Sequence, residues 1–306
     1  MKPQVSPLPH SSQTPASASD STENLAVNLE QSSSEKGQNI PFTREELQNI
    51  IAGLEEDIST GRWFRADYAS TDLKLMPALI EQANHKYPDM RLKLAGSSHE
   101  FALALKENIE NGVQSSKFII YTKDRGIHFS VIDHQTVDDK TSVVFFEPTT
   151  LNSMKPAVLA LRTQLALKAH ELPNCSFAIA EMDIQRSSSE CGMFSLALAK
   201  KLHAESQKLE RLHKDNVKGV LCEGDTPLSP EKLDTYLPTS FYKHAQGRRR
   251  LEQYIKSNPD AEHEKVNKKG ETLTERFEKN LKEAEGKTVS VSQHRKRATE
   301  YKSLMI

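Results

Sequence analysis

Residues 126–148 read GIHFSVIDHQTVDDKTSVVFFEP. Apolar and polar residues alternate from Ile127 to Val131, which predicts a β-strand whose apolar side chains share one buried face. His128 then points to the opposite face. The second half of the stretch is rich in β-branched and aromatic residues, and it predicts another strand, Ser142–Pro148, that carries Glu147 near its end. Two neighbouring strands thus present one histidine and one glutamate.

We expect these strands to form a hairpin with a four-residue turn, Thr136–Asp139, so that Gln135 faces Lys140. That register sets His128 directly opposite Glu147, with Cβ atoms about 5 Å apart. An ionised carboxylate beside an imidazole fixes its tautomer and raises its basicity. A charged glutamate among valines and phenylalanines is costly without such a partner. The pattern alone leaves two interpretations open, an acid–base pair or a cross-strand pair at the surface.

A nucleophile for such a base lies in the stretch QRSSSECG, residues 185–192, which precedes an apolar-periodic helix. Cys191 at the start of that helix is near the positive end of the macrodipole, which favours the thiolate. With His128 as base and Glu147 as its orienting acceptor, the three residues form a catalytic set. The Gln185 amide, together with the Cys191 backbone N–H, is a candidate oxyanion hole. The alternative for Cys191 is a small buried hydrophobic residue.

Periodicity predicts the elements around these motifs. Thr43 and Glu46 form a capping box at the start of an amphipathic helix, and a second amphipathic helix spans Leu75 to Ala83. Nucleotide-binding motifs of the G-x-x-x-x-G-K-[ST] and G-x-G-x-x-G types do not occur in the sequence. The other predicted elements are the strands Lys117–Thr122 and Ser176–Ile184 and the helices Pro156–His170 and Cys191–Ser206.

Composition excludes several classes of protein. The 306 residues carry 41 Lys+Arg against 42 Asp+Glu, and this near-neutral balance disfavours a general nucleic-acid or membrane-surface binder. No apolar run approaches the roughly 20 residues that span a bilayer. Three cysteines without C-x-x-C spacing disfavour a disulfide scaffold and a zinc site, so we expect no metal, and we interpret Cys175 and Cys222 as structural.

The two ends of the chain differ from its middle. Residues 1–41 contain nine Ser and five Pro and no aromatic residue, which predicts disorder. From Lys243 to Ile306 there are 16 Lys+Arg against 10 Asp+Glu, with the clusters Arg248–Arg250 and Arg295–Arg297. A basic run of this kind is either a solvated helix face or a site for a polyanionic small molecule.

Taken in order, these motifs resemble the YopJ-type effectors, acetyltransferases that bacteria deliver into host cells by type III secretion. The resemblance extends from about Thr43 to the C-terminus. It rests on GIHFSVID, FEP and DIQRSSSECG, and also on the motifs WF near Trp63, MPAL near Met76, ENGV near Glu110, FYKHxQG at 241–247 and EYK near Tyr301.

The resemblance implies an α+β fold, a cysteine-protease-like core of the ubiquitin-like-protease type with a helical regulatory domain. It implies that His128 is the base, Glu147 its orienter and Cys191 the nucleophile that carries acetyl from acetyl-CoA to Ser, Thr or Lys of host MAP kinase kinases. Residues 1–41 would be a secretion segment recognised by the secretion machinery, and the enzyme would act in the host cytoplasm.

The resemblance also assigns ligand residues to the basic tail. Inositol hexakisphosphate, an allosteric activator, would bind Lys243, His244 and Arg276. CoA would bind His128, Arg186, Ser187, Lys201, Leu202, His203, Ala204, Gln246, Gly247, Arg248, Arg249, Glu285, Gly286, Lys287, Thr288 and Val289. The regulatory domain would combine residues 42–85 with 241–306, around a catalytic core of residues 86–240.

Two other functions use the same residues. A cysteine protease acting on ubiquitin-like conjugates needs the same three side chains and oxyanion hole, so the chemistry of the motifs does not separate it from an acetyltransferase. The basic C-terminal segment and the resemblance favour the transferase. A third possibility is a kinase-binding adaptor without catalysis, which predicts that Cys191→Ala keeps full inhibition.

Overall fold

A mixed five-stranded sheet lies at the centre of the computed structural model, which describes residues 40–172, 174–224 and 226–306. The strands follow one another in the sheet in chain order. The first strand is parallel to the second and the fourth is parallel to the fifth, whereas the third is antiparallel to both of its neighbours. The strands are β1 Leu92–Ala95, β2 Ser115–Thr122, β3 His128–Val137, β4 Lys140–Glu147 and β5 Cys175–Glu181.

The β3–β4 hairpin is confirmed, but its register differs from the predicted one by two residues. Val137 pairs with Lys140, so the turn contains only Asp138 and Asp139. Both aspartates have positive φ, 49° and 61°. A two-residue hairpin turn needs this conformation, and the short polar side chain of aspartate tolerates it. The prediction of a four-residue turn, Thr136–Asp139, with Gln135 opposite Lys140 was therefore wrong, because the actual turn is two residues shorter.

The slip has a limited effect on the predicted pair. A shift of two residues leaves each side chain on its face of the sheet. Continuing the register beyond the Val131–Phe146 pair sets Ser130 opposite Glu147 and His128 diagonal to it. Diagonal neighbours remain within reach of a long side chain. His128 and Glu147 therefore still meet, with Ser130 between them.

Helices cover both faces of the sheet. One face, with Phe129 and Val144, packs on a large cluster that includes the helix beginning at Cys191. The other face, with Ile132 and Phe145, packs on the helices of residues 98–110 and 154–169. The predicted α+β class is confirmed. The helices are α1 Arg44–Thr60, α2 Ala69–Lys86, α3 Ser98–Glu110, α4 Met154–Ala169, α5 Cys191–Ala204, α6 Glu210–Val217, α7 Pro230–Asp234, α8 Arg248–Ser257, α9 Leu273–Lys279 and α10 Ser292–Ser303, with 3-10 turns at Arg62–Phe64, Pro88–Met90, Ser206–Leu209, Thr239–Tyr242 and Pro259–Glu262.

The N-terminal helices begin as the sequence predicts. Thr43 and Glu46 form both hydrogen bonds of the capping box of α1. Helix α1 contacts α10, and α2 contacts α5. A second, two-stranded sheet, β6 Leu281–Ala284 and β7 Lys287–Ser290, shares a small apolar cluster with Trp63. Both ends of the described chain thus lie against the helix that carries Cys191, although the division into regulatory and catalytic domains stays a prediction.

Two sequence predictions concern the limits of the chain and its surroundings. The predicted disordered segment, residues 1–41, lies outside the described residues except for its last two positions. Within the described ranges, the helices are all too short or too polar to cross a bilayer.

Candidate active site

The hairpin end places a histidine against a buried carboxylate. His128 is the first residue of β3, and its Nε2 lies 2.9 Å from Oε2 of Glu147. Ser130 Oγ donates to the same oxygen over 2.6 Å. The other oxygen, Oε1, accepts from the backbone N–H and the hydroxyl of Thr149 over 2.9 and 2.7 Å. Because Glu147 is fully buried, these donors are what allow its charge to persist away from water.

Cys191 begins α5, close enough to His128 for its side chain to affect the pKa of the imidazole. Burial alone lowers the pKa of His128, but the Glu147 carboxylate and the Cys191 side chain outweigh it and raise that pKa to about 10. A histidine with a pKa this high carries a proton at neutral pH, and the Glu147 carboxylate stabilises the resulting cation.

The other two cysteines have different surroundings. Burial raises the pKa of Cys175 to about 12 and also raises the pKa of Cys222. Neither has an imidazole among the groups that shift its pKa. A thiol whose pKa is raised is a poor nucleophile at neutral pH. This agrees with the interpretation of both residues as structural.

Gln185 lies at the entrance of the loop that leads to Cys191. Its Nε2 donates to the Ser187 carbonyl over 2.9 Å, which uses one of the two amide hydrogens. The backbone N–H of Gln185 is fixed to Pro148 O at 3.1 Å, directly after the β4 strand. The amide therefore has one hydrogen left to donate, as the predicted oxyanion role requires.

The predicted CoA residues fall into two groups. Arg186 and Ser187 meet the C-terminal segment, because Oε1 of Gln246 accepts from their backbone N–H groups over 2.6 and 2.9 Å. Gly247 lies beneath the Arg186 guanidinium, where an added Cβ would be 3.1 Å from Nε. The β6–β7 hairpin joins this group, since Ser290 N donates to Gln246 O over 3.1 Å.

The hairpin and α8 carry the other C-terminal positions. Glu285 and Gly286 form the turn between β6 and β7, and Glu285 forms an ion pair with Arg65. On α8, the Arg248 guanidinium bonds Glu278 Oε1 over 2.6 Å. The remaining predicted residues of this part are Arg249, Lys287, Thr288 and Val289.

The second group of predicted CoA residues is more distant. Lys201–Ala204 form the last turn of α5, about 15 Å along the helix from Cys191. Leu202 is fully buried, and the ring of His203 lies 5.5 Å from that of Tyr87. A single extended ligand would have to follow α5 to contact both groups.

The three residues predicted to bind inositol hexakisphosphate lie together. Arg276 Nε donates to Lys243 O over 3.3 Å, and its Nη2 donates to Ser292 Oγ over the same distance. His244 Nδ1 lies 2.7 Å from the same hydroxyl. Ser292, the first residue of α10, is thus a shared partner that the sequence analysis missed. We call Lys243, His244, Arg276 and Ser292 the basic cluster.

The basic runs Arg248–Arg250 and Arg295–Arg297 were interpreted as a solvated helix face or as a site for a polyanionic molecule. One arginine in each run fits neither interpretation. Arg250 is buried and bonds both oxygens of Asp234, over 2.8 and 2.5 Å. Arg297 is buried as well and bonds both oxygens of Asp72 over 3.0 Å. These two arginines are structural, because each guanidinium is paired with a buried carboxylate.

A second histidine-centred set lies on the sheet. His213 Nε2 is 3.0 Å from Asp133 Oδ2, and its Nδ1 is 2.8 Å from Ser142 Oγ. Lys117 Nζ completes the set, 2.7 Å from Asp133 Oδ1. All four side chains are closed to solvent, so the set fixes α6 to the sheet and has no access to a substrate. Among the described residues no group of three or more His, Cys, Asp or Glu side chains is arranged to hold a metal ion.

This geometry defines a class of protein: a mixed sheet and a helix-borne cysteine form a cysteine-protease-like core equipped for acyl transfer. The family model described as YopJ Serine/Threonine acetyltransferase matches residues 47–303. Over 279 residues the chain is 51% identical to the serine/threonine-protein acetyltransferase YopJ of Yersinia pestis, covering 91% of this chain and 97% of that relative. The YopJ of Yersinia pseudotuberculosis gives the same values.

Solved structures agree. An AvrA deletion variant with IP6 and CoA has a TM-score of 0.83 and 48% identity, over 87% of this chain and 99% of that one. HopZ1a in complex with IP6 shares the fold, with a TM-score of 0.68 and 19% identity over 85% and 97% of the two chains. The chain belongs to the YopJ family of serine/threonine acetyltransferases, which confirms the predicted family and enzyme class.

Proposed function

We propose that this protein is a bacterial effector that moves acetyl from acetyl-CoA, through Cys191, to Ser, Thr or Lys side chains of host MAP kinase kinases, and so blocks their signalling. Type III secretion would deliver it to the host cytoplasm. The observation that carries the proposal is the 2.9 Å contact of His128 with the fully hydrogen-bonded carboxylate of Glu147, beside Cys191 at the start of α5, in a chain of this family.

In the first half-reaction His128 holds the proton of Cys191, and the thiolate attacks the thioester carbonyl of acetyl-CoA. The developing oxyanion accepts hydrogen bonds from the Gln185 amide and the Cys191 backbone N–H. The carbon–sulfur bond to CoA then breaks, and His128 returns the proton to the departing CoA thiolate. The product is acetyl-Cys191.

In the second half-reaction a substrate hydroxyl or amine attacks acetyl-Cys191. His128, now neutral, accepts the proton of that group, and the Cys191 thiolate leaves with the imidazolium restored. Glu147 stabilises the imidazolium at both stages, since its position is fixed by Ser130 and Thr149. CoA therefore leaves before the protein substrate reacts, which is a ping-pong sequence.

The basic cluster suits inositol hexakisphosphate as an activator. His244 and Arg276 converge there on one hydroxyl at the start of α10, and Arg276 also bonds the backbone carbonyl of Lys243. A polyphosphate binds cationic donors of this kind through charge-assisted hydrogen bonds. When bound it would supply only charge and hydrogen-bond acceptors, so the chemical steps stay with the residues of the catalytic set.

The test is intact-mass spectrometry of the protein and of a MAP kinase kinase after incubation with acetyl-CoA, with and without inositol hexakisphosphate. We expect a mass increase of one acetyl group on the kinase that requires the phosphate ligand and is abolished by Cys191→Ala. Cys222→Ala is the matched control and should retain transfer, since Cys222 lies outside the set.

Other outcomes decide between the alternatives. Absence of the adduct together with capture of Cys191 by a ubiquitin-like activity probe would establish the protease instead. Full inhibition of the kinase by Cys191→Ala would establish the adaptor without catalysis.

A further inference from the structure

The loop before the nucleophile is held by both ends of the chain. We call residues 186–190 the nucleophile loop. From the N-terminal side, Ser188 N donates to Phe64 O over 3.3 Å, and Ser189 Oγ donates to Ala66 O over 2.5 Å. From the C-terminal side, Arg297 Nη2 donates to Ser189 O over 2.6 Å. The conformation of this loop, and with it the position of Cys191, depends on segments remote in sequence.

Gln246 makes the densest of these contacts. Its Oε1 accepts from Arg186 N, Ser187 N and Ser187 Oγ over 2.6, 2.9 and 3.1 Å. Its Nε2 donates to Glu190 Oε2. The side chain is fully buried and its backbone N–H is fixed to Ile184 O at 2.9 Å. A side-chain amide with all of these partners holds the loop in position.

Glu190, the residue directly before Cys191, is where the C-terminal segments converge. Its Oε2 accepts from Ser187 Oγ over 2.7 Å and from the Gln246 amide. Its Oε1 faces α10, 3.3 Å from His294 Nδ1 and 3.6 Å from Arg297 Nη1. Because Glu190 directly precedes Cys191, the contacts of its carboxylate help to fix the backbone from which the Cys191 side chain projects.

Both segments that reach Glu190 start at the basic cluster. His244 and Gln246 are two residues apart on one short segment. Ser292, bonded to His244 and Arg276, begins the helix that carries His294 and Arg297. An anion that draws the basic cluster together therefore fixes the origin of both contacts to Glu190 at once.

We propose that Gln246 and Glu190 are a positioning pair that transmits occupancy of the basic cluster to Cys191, so that a bound polyphosphate raises the reactivity of the thiol itself, without CoA. The inference rests on the proposed function, in which inositol hexakisphosphate is the activator. It goes beyond it by assigning the effect to the nucleophile as well as to substrate binding.

The experiment measures alkylation of Cys191 by iodoacetamide in the full-length protein, without acetyl-CoA, across pH 5–9, with and without inositol hexakisphosphate. Calorimetry measures the affinity for the phosphate ligand in parallel. We expect the ligand to accelerate alkylation of the wild type about tenfold or more and to shift its pH profile to lower pH, because one hydrogen bond to a buried charge corresponds to about that factor.

The variants separate positioning from folding. Gln246→Glu sets two carboxylates against each other, and we expect it to reduce the acceleration below about threefold while the affinity for the phosphate ligand stays within about threefold. Glu190→Gln/Gln246→Glu restores a donor–acceptor pair with the roles exchanged, and should recover most of the acceleration. Gln253→Glu makes the same chemical change on α8 and should behave as wild type.

Three results would overturn the proposed role of Gln246 and Glu190 or the proposed activator. Wild-type acceleration in Gln246→Glu, or failure of a folded double variant to recover it, would overturn the pair. Should Gln246→Glu fail to fold, the isosteric Glu190→Gln takes its place and must lose acceleration. If the wild type does not bind inositol hexakisphosphate at all, the activator in the proposed function fails first, and calorimetry reports that separately.

Discussion

Replacing Arg297 by methionine should destabilise the protein substantially, since this arginine joins three parts of the chain. Its guanidinium bonds Asp72 on α2 through two hydrogen bonds of 3.0 Å and the carbonyl of Ser189 over 2.6 Å. The side chain is fully buried. Arg297→Met removes the cation but leaves the carboxylate of Asp72 away from water.

The size of the effect follows from that burial. Removing one partner of a buried ion pair costs about 3–5 kcal/mol. For a folded part of roughly 270 residues the entropy of unfolding is about 0.6 kcal/mol per degree, so the melting temperature should fall by about 5–9 °C. Burial raises the pKa of Asp72 even with Arg297 beside it. Without the arginine that pKa rises further, so the deficit should shrink as the pH falls and Asp72 takes up a proton.

Thermal unfolding followed by circular dichroism from pH 5 to pH 8 measures both effects. Asp72→Asn/Arg297→Met removes the orphaned charge and should recover at least half of the loss. Arg295→Met, the same change at an exposed position of α10, should shift the melting temperature by less than about 1 °C. A loss below about 1 kcal/mol in Arg297→Met, or a deficit that does not change with pH, would refute the reasoning.

Three further predictions concern the site. The pKa of His128 is raised from its ordinary value of 6.5 to about 10, which contributes stability that is complete below pH 6.5 and is lost as the pH rises through 10. The gap in melting temperature between wild type and Glu147→Gln should therefore narrow between pH 7 and pH 10.5. Gly192→Ala would set a Cβ 3.1 Å from Asp72 Oδ2. This contact should lower the free energy of unfolding by about 1–3 kcal/mol, measured by thermal melts, and slow the acylation of Cys191 in a stopped-flow assay. Wild-type stability and acylation rate would contradict the tight contact. Ser130→Ala removes a 2.6 Å donor from Glu147 and should lower the rate of acetyl transfer about fivefold, whereas an unchanged rate would show that Thr149 alone fixes the carboxylate.

The contact between His128 and Glu147 could be predicted from the sequence because the signal is local. Alternation fixes the face of His128, and the isolated charge of Glu147 among apolar residues indicates a partner. The exact register was not accessible, since it depends on whether Asp138 and Asp139 both adopt positive φ. Aspartate permits that conformation without requiring it. The error was harmless to the pair because a slip of two residues conserves the face.

The contacts around Cys191 could not be predicted from local sequence patterns. Arg297 and Asp72 are more than two hundred residues apart, and nothing in the run Arg295–Arg297 distinguishes the buried arginine from its exposed neighbour. Gln246 was assigned to CoA by resemblance, whereas the structure commits its amide to the nucleophile loop. Whether a polar side chain is buried and paired or free to bind a ligand depends on which residue it contacts in the folded protein, and tertiary packing determines that contact.

Burial of the proposed catalytic residues favours transfer over hydrolysis in this protease-like core. Cys191, His128 and Glu147 are 3%, 6% and 0% exposed, so the acetyl-enzyme would form in a place that water reaches poorly. A hydrolase must admit water to its acyl-enzyme, whereas a transferase must exclude it until the acceptor side chain arrives. The sheet supplies the base and the carboxylate in either case. Asp72 lies against Gly192 and Gln246 lies against the nucleophile loop, so both enclose Cys191. Asp72 comes from α2 and Gln246 from the segment directly before α8, both outside the sheet. If Cys191 is the nucleophile as proposed, we therefore expect the choice between hydrolysis and transfer to depend on the layer that both ends of the described chain build over it.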